Sequence, residues 1–220
     1  MQLNIPAASS FISLPIPPCS GSYSCTECSV EICQHAKKVL EATHLMRLGA
    51  RAALARQLTG LEKSTANRLY QQIHGKPSSP GQVPFMDSWH RKSDRHMLHT
   101  NIVWQLHKKL SHTHRSKART LIDVFQTYRQ MVTAPLLDLA RTAFVQQLIT
   151  MDTWHERRCE SCGIDFTTPI ESNSRICPGC LLYHRHRCIQ CGTALSPKTK
   201  GRGHAHCTHC GCELIGGIRH

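Results

Sequence analysis

The sequence predicts a mainly α fold: a basic all-α domain with a helix-turn-helix-like segment, followed by two C-terminal four-cysteine zinc ribbons. Three observations support this class: helical spacing of apolar residues in the middle of the chain, positive charge concentrated in the same segment, and four C-x2-C pairs near the C-terminus. We expect a Pro/Ser-rich, flexible leader with cysteines, a basic helical domain, a first ribbon and a second ribbon, over 1–34, 35–156, 157–182 and 183–220.

The helices of the middle segment follow from its apolar periodicity. The spacing predicts helices over about 34–58, with a break at Gly49, and over about 62–74, 93–110, 116–132 and 135–151. Pro135 suits the first position of the last helix, where a missing N–H costs nothing. We expect the apolar faces of the helices within 93–151 to contact a partner subunit.

Residues 52–71 have the layout of a helix-turn-helix, with small or apolar residues wherever two helices must pack around a tight turn: Ala55, Gly60, Leu61, Ala66 and Leu69. Arg56 departs from the pattern, because a small residue usually packs there. The second helix would then present side chains that bind phosphates and base edges: Lys63, Ser64, Thr65, Asn67, Arg68 and Gln71. An ordinary helical hairpin is the alternative interpretation.

The charge distribution indicates a polyanionic partner. The chain has 27 Lys+Arg against 14 Asp+Glu, and residues 35–158 hold 20 of the basic and eight of the acidic side chains. Lys and Arg that neutralise phosphates release counterions, so the prediction is double-stranded DNA, with a merely solubilising charge as the alternative. No apolar run reaches about 18 residues, so we expect no transmembrane helix. We also expect no membrane partner, because no basic stretch faces a clean Trp/Phe/Leu stripe. The N-terminus lacks the basic start of a secretory signal, which favours a cytoplasmic protein whose cysteines bind metal.

The C-terminal cysteines have the spacing of zinc ligands. Cys159 and Cys162 are followed by Cys177 and Cys180, and Cys188 and Cys191 by Cys207 and Cys210. Two facing C-x2-C knuckles complete a tetrahedral site of four thiolates, so we predict two structural Zn²⁺ ions. An iron–sulfur site and an interleaved pairing of the knuckles are the alternatives.

Several further ligand types remain outside these two groups. Cys212 and the neighbouring histidines could be alternate ligands, but we interpret them as exposed polar or phosphate-facing groups: His184, His186, His204, His206 and His209. The leader could hold a third metal through Cys19, Cys25, Cys28 and Cys33, although it lacks a second C-x2-C pair.

The stretch LMRLGARAALARQLTGLEKSTANRLYQQIHGKPSSPGQVPFMDSW, residues 45–89, resembles FlhC, the C subunit of the bacterial flagellar master regulator. The same order of features continues through Trp104, the Tyr128 helix, Pro135 and the first four cysteines. The resemblance covers about residues 44–181. The cysteine leader before residue 36 and the second ribbon at 188–210 depart from the typical flagellar subunit.

The resemblance implies a non-enzymatic transcriptional activator that acts as a hetero-oligomer with a small helical FlhD-like (D-type) subunit and recruits RNA polymerase. It also implies that Cys159, Cys162, Cys177 and Cys180 bind zinc. Relatives on mobile elements switch on conjugative transfer, so flagellar and conjugative genes are both candidate targets. The alternatives are an RNA- or ribosome-associated zinc-ribbon protein and a nuclease or transposase. The acids of the middle segment are scattered singly, which disfavours two-metal catalysis.

Overall fold

The computed structural model describes residues 29–80, 86–111, 116–188, 190–195 and 206–213. In these ranges the chain forms helices α1 Val30–Arg47, α2 Ala52–Thr59, α3 Lys63–His74, α4 Asp94–Ser111, α5 Lys117–Met131, α6 Leu139–Thr150 and α7 Pro178–His184, and strands β1 Trp154–Arg158 and β2 Asp165–Pro169. A 3₁₀ turn spans Asp87–Trp89. The mainly α fold class is therefore confirmed. None of the helices described combines the length and apolar character needed to cross a membrane.

The predicted break at Gly49 is confirmed. Helix α1 ends at Arg47, and the amide of Leu48 still donates to the carbonyl of His44. Gly49 then has φ of 101°, a conformation that L side chains rarely adopt, so the chain leaves the helix there. Helix α2 begins three residues later, and its first amide, that of Ala52, donates to Oγ of Ser78 in the loop after α3.

The predicted start of the helix over 135–151 is wrong, because α6 begins at Leu139. Asp138 is the N-cap, and its carboxylate accepts from the amide of Arg141 at 2.8 Å. The preceding amides, of Leu136 and Leu137, donate to the hydroxyl of Tyr128 at 2.8 and 3.2 Å. The Asp138 carboxylate and the Tyr128 hydroxyl therefore accept the hydrogen bonds of these backbone amides. These bonds hold the Pro135 segment outside the helix.

Helices α1 to α6 share one apolar core. Leu45, Met46 and Leu54 from the first two helices are fully buried, as are Val103 of α4 and Tyr128 of α5. Apolar side chains of α4–α6, among them Val103, Phe125 and Leu139, pack within this core. The expected contact of these helices with a partner subunit stays a prediction. Large exposed apolar side chains in the described residues include Val30 and Ile32 at the start of α1, at 67% and 70% exposure, and Met131 at the end of α5.

The first cysteine segment is docked on α4. Strands β1 and β2 form an antiparallel hairpin in which Trp154 pairs with Pro169 and Arg158 with Asp165. The side chain of Asn101 on α4 makes two hydrogen bonds with the backbone of β2. Its Nδ2 donates to the carbonyl of Thr167 at 3.0 Å, and the amide of Thr167 donates to the Oδ1 of Asn101 at 2.6 Å. Because both groups are buried, these bonds fix the hairpin to the helical core.

A second apolar cluster lies under the hairpin. Trp154 is 1% exposed and packs with Phe144 and Leu148 of α6. Its indole N–H donates to Asp87 in the 3₁₀ turn at 2.9 Å. The position of the first cysteine group thus follows from the packing of β1 against the helices.

Candidate metal centres and nucleic-acid interface

The first cysteine group has the geometry of a tetrathiolate site. The four Sγ atoms of Cys159, Cys162, Cys177 and Cys180 lie within 4.8 Å of one another, and those of Cys162 and Cys177 are 3.8 Å apart. A tetrahedral zinc ion with bonds of about 2.3 Å to sulfur requires sulfur–sulfur separations of about 3.8 Å. The site therefore has the size that zinc requires, and four thiolates leave no coordination position open for catalysis.

Two different turns bring these cysteines together. In the first knuckle Gly163 has φ of 69°, and the amide of Cys159 donates to the carbonyl of Ile164 at 2.9 Å. In the second, Cys177 is the N-cap of α7, and Pro178 occupies the first helical turn. The predicted ribbon is therefore present as one hairpin, β1–β2, whereas the second knuckle opens a helix.

Backbone amides around the group stabilise thiolate. The pKa of Cys159 is raised by burial, but amides of Cys177, Cys162 and Ser161 donate to its sulfur and lower the pKa to about 7. Burial, together with hydrogen bonds that the protonated Cys177 thiol donates to neighbouring sulfurs, raises its pKa to about 12. A cation bound between the sulfurs would remove this penalty, because it neutralises the charge that accumulates on neighbouring thiolates.

The second group contains Cys188, Cys191, Cys207 and Cys210, again with all four Sγ atoms within 4.8 Å. Sulfur–sulfur separations of 3.7 Å join Cys188 to Cys210 and Cys191 to Cys207. The hydroxyl and amide of Thr193 lower the pKa of Cys191 to about 5. This group has the dimensions of a second tetrathiolate zinc site.

The pairing of the knuckles is consecutive, not interleaved: the first two C-x2-C pairs form one group and the last two form the other. Cys212, which the sequence pattern left over, lies beside the second group, with its Sγ 3.2 Å from that of Cys188 and 3.3 Å from that of Cys210. The spacing of the knuckles gave no sign of this contact.

The remaining candidate ligands lie outside both groups. His184, His186, His206 and His209 are described and belong to neither, whereas His204 lies outside the described residues. In the leader, Cys33 lies on α1, and Cys19, Cys25 and Cys28 fall outside the described residues, so a third metal there stays a prediction.

The helix-turn-helix segment is formed by α2, a tight turn and α3. Gly60 ends α2 with φ of 69°, its amide donating to the carbonyl of Arg56 at 2.8 Å. Leu61 is buried in the turn, and Ala55 and Ala66 are buried where the two helices meet. Arg56, the residue that departed from the pattern, is exposed, so its bulk does not interrupt the packing.

One face of α3 is polar and exposed. Ser64, Asn67, Arg68 and Gln71 follow the i, i+3, i+4, i+7 spacing of a single helix face, and all four are exposed. Lys63 is exposed at the N-terminus of the helix, and Thr65 is half-buried. The opposite face packs on the core through Ala66, Leu69, Tyr70 and Ile73. The predicted DNA-contacting side chains are thus available on a rigid support.

The charge of this segment favours an anionic ligand. Between residues 52 and 74 the only acid is Glu62, against Arg56, Lys63 and Arg68. The exposed face also combines a guanidinium group with two amide side chains, the types that hydrogen-bond guanine and adenine edges in a major groove.

Comparison with known proteins identifies relatives among flagellar transcriptional regulators. The family model described as flagellar transcriptional activator (FlhC) matches residues 27–194. The flagellar transcriptional regulator FlhC of Verminephrobacter eiseniae is 28% identical over 155 residues, covering 68% of this chain and 84% of the relative. The proteins of the same name from Xenorhabdus nematophila and Serratia marcescens are 25% and 26% identical, each over 68% of this chain and 81% and 80% of the relative.

The range matched by the family model, 27–194, is wider than residues 44–181, over which the sequence motifs resemble the family. It begins within the cysteine leader and includes all seven helices, the first cysteine group, and Cys188 and Cys191. Cys207, Cys210 and Cys212 lie beyond it.

Proposed function

Because the chain belongs to the FlhC family of flagellar transcriptional activators, we propose that it is the DNA-binding subunit of a cytoplasmic transcriptional activator. In this proposal it binds double-stranded DNA through α3, assembles with a small helical D-type subunit, and recruits RNA polymerase. Its targets are promoters of flagellar genes or of conjugative transfer genes. It acts by binding, without catalysis.

The observation that carries the proposal is the exposed polar face of α3 on a buried helical support. Ala66 is 1% exposed and anchors the helix against α2, so the opposite face has a fixed orientation. A helix held in this way can enter a major groove without first losing conformational freedom, which favours affinity. Ser78, in the loop after α3, accepts a hydrogen bond from the amide of Ala52 and so links the start of α2 to the end of the helix-turn-helix segment.

The residues on α3 divide into two roles. Lys63, at the N-terminus of the helix, is a phosphate contact, because the helix dipole and the ammonium group both attract an anion there. Asn67, Arg68 and Gln71 lie further along the exposed face and are the base-reading residues. Phosphate contacts add affinity for every sequence, whereas bidentate base contacts discriminate between sequences.

In this proposal the two zinc ions are structural. Each holds two knuckles that have little apolar core of their own, so metal binding supplies part of the folding free energy. The first site fixes the C-terminal segment to α4, and through α4 to the helical domain that carries α3.

Fluorescence anisotropy with the full chain, co-expressed with its small helical partner, tests the DNA interface on fragments from upstream of flagellar and transfer operons. Arg68→Ala is expected to cost about 1–3 kcal/mol of discrimination between the preferred and a scrambled fragment. Lys63→Ala is expected to weaken binding to both fragments alike and to reduce the slope of log K against log salt by about 1.

The matched control is Lys109→Ala, which removes the same charge from an exposed position on α4. It should leave both affinity and discrimination at the wild-type level. If Arg68→Ala behaves like Lys109→Ala in both respects, α3 is not the recognition helix. Preferential binding to RNA of the same sequence would favour the zinc-ribbon RNA-binding function instead.

A further inference from the structure

Three of the four cysteine knuckles share one backbone design, C-x2-C followed by glycine and one further residue. The glycines, Gly163, Gly192 and Gly211, have φ of 69°, 71° and 72°. In each knuckle the amide of the first cysteine donates to the carbonyl of the residue after the glycine, at 2.8–2.9 Å: Cys159 to Ile164, Cys188 to Thr193, and Cys207 to Cys212. The residue after the glycine is thus held in the same place, next to the metal-binding sulfurs, in all three.

The side chain at that place differs between the knuckles. In the first it is Ile164, which is 60% exposed and offers no ligand atom. In the second it is Thr193, whose Oγ1 lies 3.2 Å from Sγ of Cys191. In the third it is Cys212, whose Sγ contacts those of Cys188 and Cys210. Cys212 therefore places a fifth thiol beside the four of the second group, where zinc accepts four thiolates.

We infer that Cys212 belongs to the second metal centre as a fifth thiol, which exchanges with Cys210 as the fourth ligand of one bound zinc ion. Cys210 is the ligand that exchanges because it is exposed, whereas Cys188, the other sulfur that Cys212 contacts, is buried. Only Gly211, with φ of 72°, separates the two exchanging residues, and their Sγ atoms lie 3.3 Å apart.

The exchange needs no oxidant and no external ligand. The Cys212 thiol gives up its proton and forms a bond from its sulfur to zinc, the bond from Cys210 to zinc breaks, and the Cys210 thiolate takes up a proton. The zinc ion keeps four thiolates and the centre keeps its net charge. One free thiol always remains beside the metal. The first centre has no such thiol at this position, because Ile164 stands where the third knuckle has Cys212.

Cobalt substitution of the full chain tests the ligand set, because the intensity of the sulfur-to-Co²⁺ charge-transfer absorption follows the number of bound thiolates. Cys210→Ser and Cys212→Ser are each expected to retain the wild-type intensity and metal content. The double variant is expected to lose one thiolate bond or the second ion. Cys180→Ser is the matched control, because Leu181 follows it and, among the described residues, no fifth thiol joins that centre. A loss in Cys210→Ser equal to that in Cys180→Ser would overturn the inference.

A second measurement uses the unmodified, zinc-loaded chain and so does not depend on how a variant folds. Limited alkylation with a maleimide, followed by peptide mapping, reports which thiol is free at the second centre. Exchange predicts that the label is divided between Cys210 and Cys212, with Cys188, Cys191 and Cys207 protected until zinc is removed. Label on Cys212 alone would show a bystander thiol and contradict the exchange.

Discussion

The two cysteine groups have the same ligand pattern but very different support from the rest of the protein. The first is joined to a paired hairpin whose Thr167 is buried against Asn101 of α4, and Trp154 packs beneath it. In the second, the described backbone pairing outside the knuckles consists of single bridges, Arg187 to Ala194 and His206 to Glu213. The first centre is therefore supported by a paired hairpin and a packed core, whereas we expect the second to depend on bound metal for its order.

Metal removal should give the largest effect and separate the two centres. A structural zinc ion contributes about 10–16 kcal/mol of apparent binding free energy to a small site, and the second group has little packing to replace it. On chelation we expect the amides of Cys188 and Cys207 to exchange with deuterium at unfolded rates, while the amide of Thr167 stays protected.

Removing one equivalent cysteine ligand from each centre compares how far each depends on its metal. Cys162 and Cys191 are both exposed and both close the first knuckle of their group, so Cys162→Ser and Cys191→Ser remove equivalent ligands. Hydrogen exchange should show the β1–β2 hairpin intact in the first variant and the second group disordered in the other. Equal loss of protection at both centres would mean that the hairpin, too, is held only by metal.

The next effect concerns the bonds that dock the first centre. Asn101→Ala leaves the amide and carbonyl of Thr167 buried without their partners, and we expect it to lower the free energy of unfolding by about 4 kcal/mol. Gln105→Ala is the control on the same helix, since its bond to the carbonyl of Asp165 is exposed and its loss should cost less than about 1 kcal/mol. Urea denaturation of the zinc-loaded proteins measures both. Similar costs would refute the role given to Asn101.

A smaller effect should appear on acidification, through His90. The hydroxyl of Thr100 donates to the carbonyl of His96, so Nδ1 of His90 must donate to that hydroxyl, at 2.8 Å. Its Nε2 is buried with no hydrogen-bond partner among the described residues, so a proton added there would have no acceptor. Burial, and secondarily the nearby Arg141, lower the pKa of His90 to about 4. The other charges around it are Asp87, His96 and Asp138.

The sign of the pH dependence follows from this lowered pKa. Between about pH 6.5 and 4 the unfolded chain binds a proton at His90 that the folded chain does not, so stability is complete above this range and falls within it. The loss at pH 5 relative to pH 8 should be about 2 kcal/mol. His90→Gln should lack this component, whereas His35→Gln, at an exposed position of α1, should retain it. Identical pH profiles for wild type and His90→Gln would contradict the assignment.

The sequence predicted those features that local chemistry determines. Glycines at 49 and 60 ended helices as expected, and the apolar spacing of residues 62–74 placed α3 within one residue of its observed start. The C-x2-C pairs also identified both cysteine groups, because two C-x2-C knuckles at this spacing are typical of a four-thiolate metal site.

Features that depend on distant residues could not be predicted in this way. The start of α6 is set by Asp138 together with a hydroxyl from Tyr128 of the preceding helix, and Pro135 gave a misleading local signal. Strand β1 is polar at every position after Trp154, so its sequence has no alternating apolar pattern, and the burial of Trp154 depends on its contact with α6. The contact of Cys212 with Cys188 likewise joins residues 24 apart.

Genome-wide crosslinking of the full chain, co-expressed with a small helical D-type subunit and in parallel with the Arg68→Ala variant, tests the proposed DNA-binding function in the cell. We expect sharp peaks immediately upstream of promoters, which the variant loses, and the genes beneath them will distinguish motility from conjugative transfer. Diffuse crosslinks, crosslinks dominated by RNA, or peaks that persist unchanged in Arg68→Ala would contradict the proposed function.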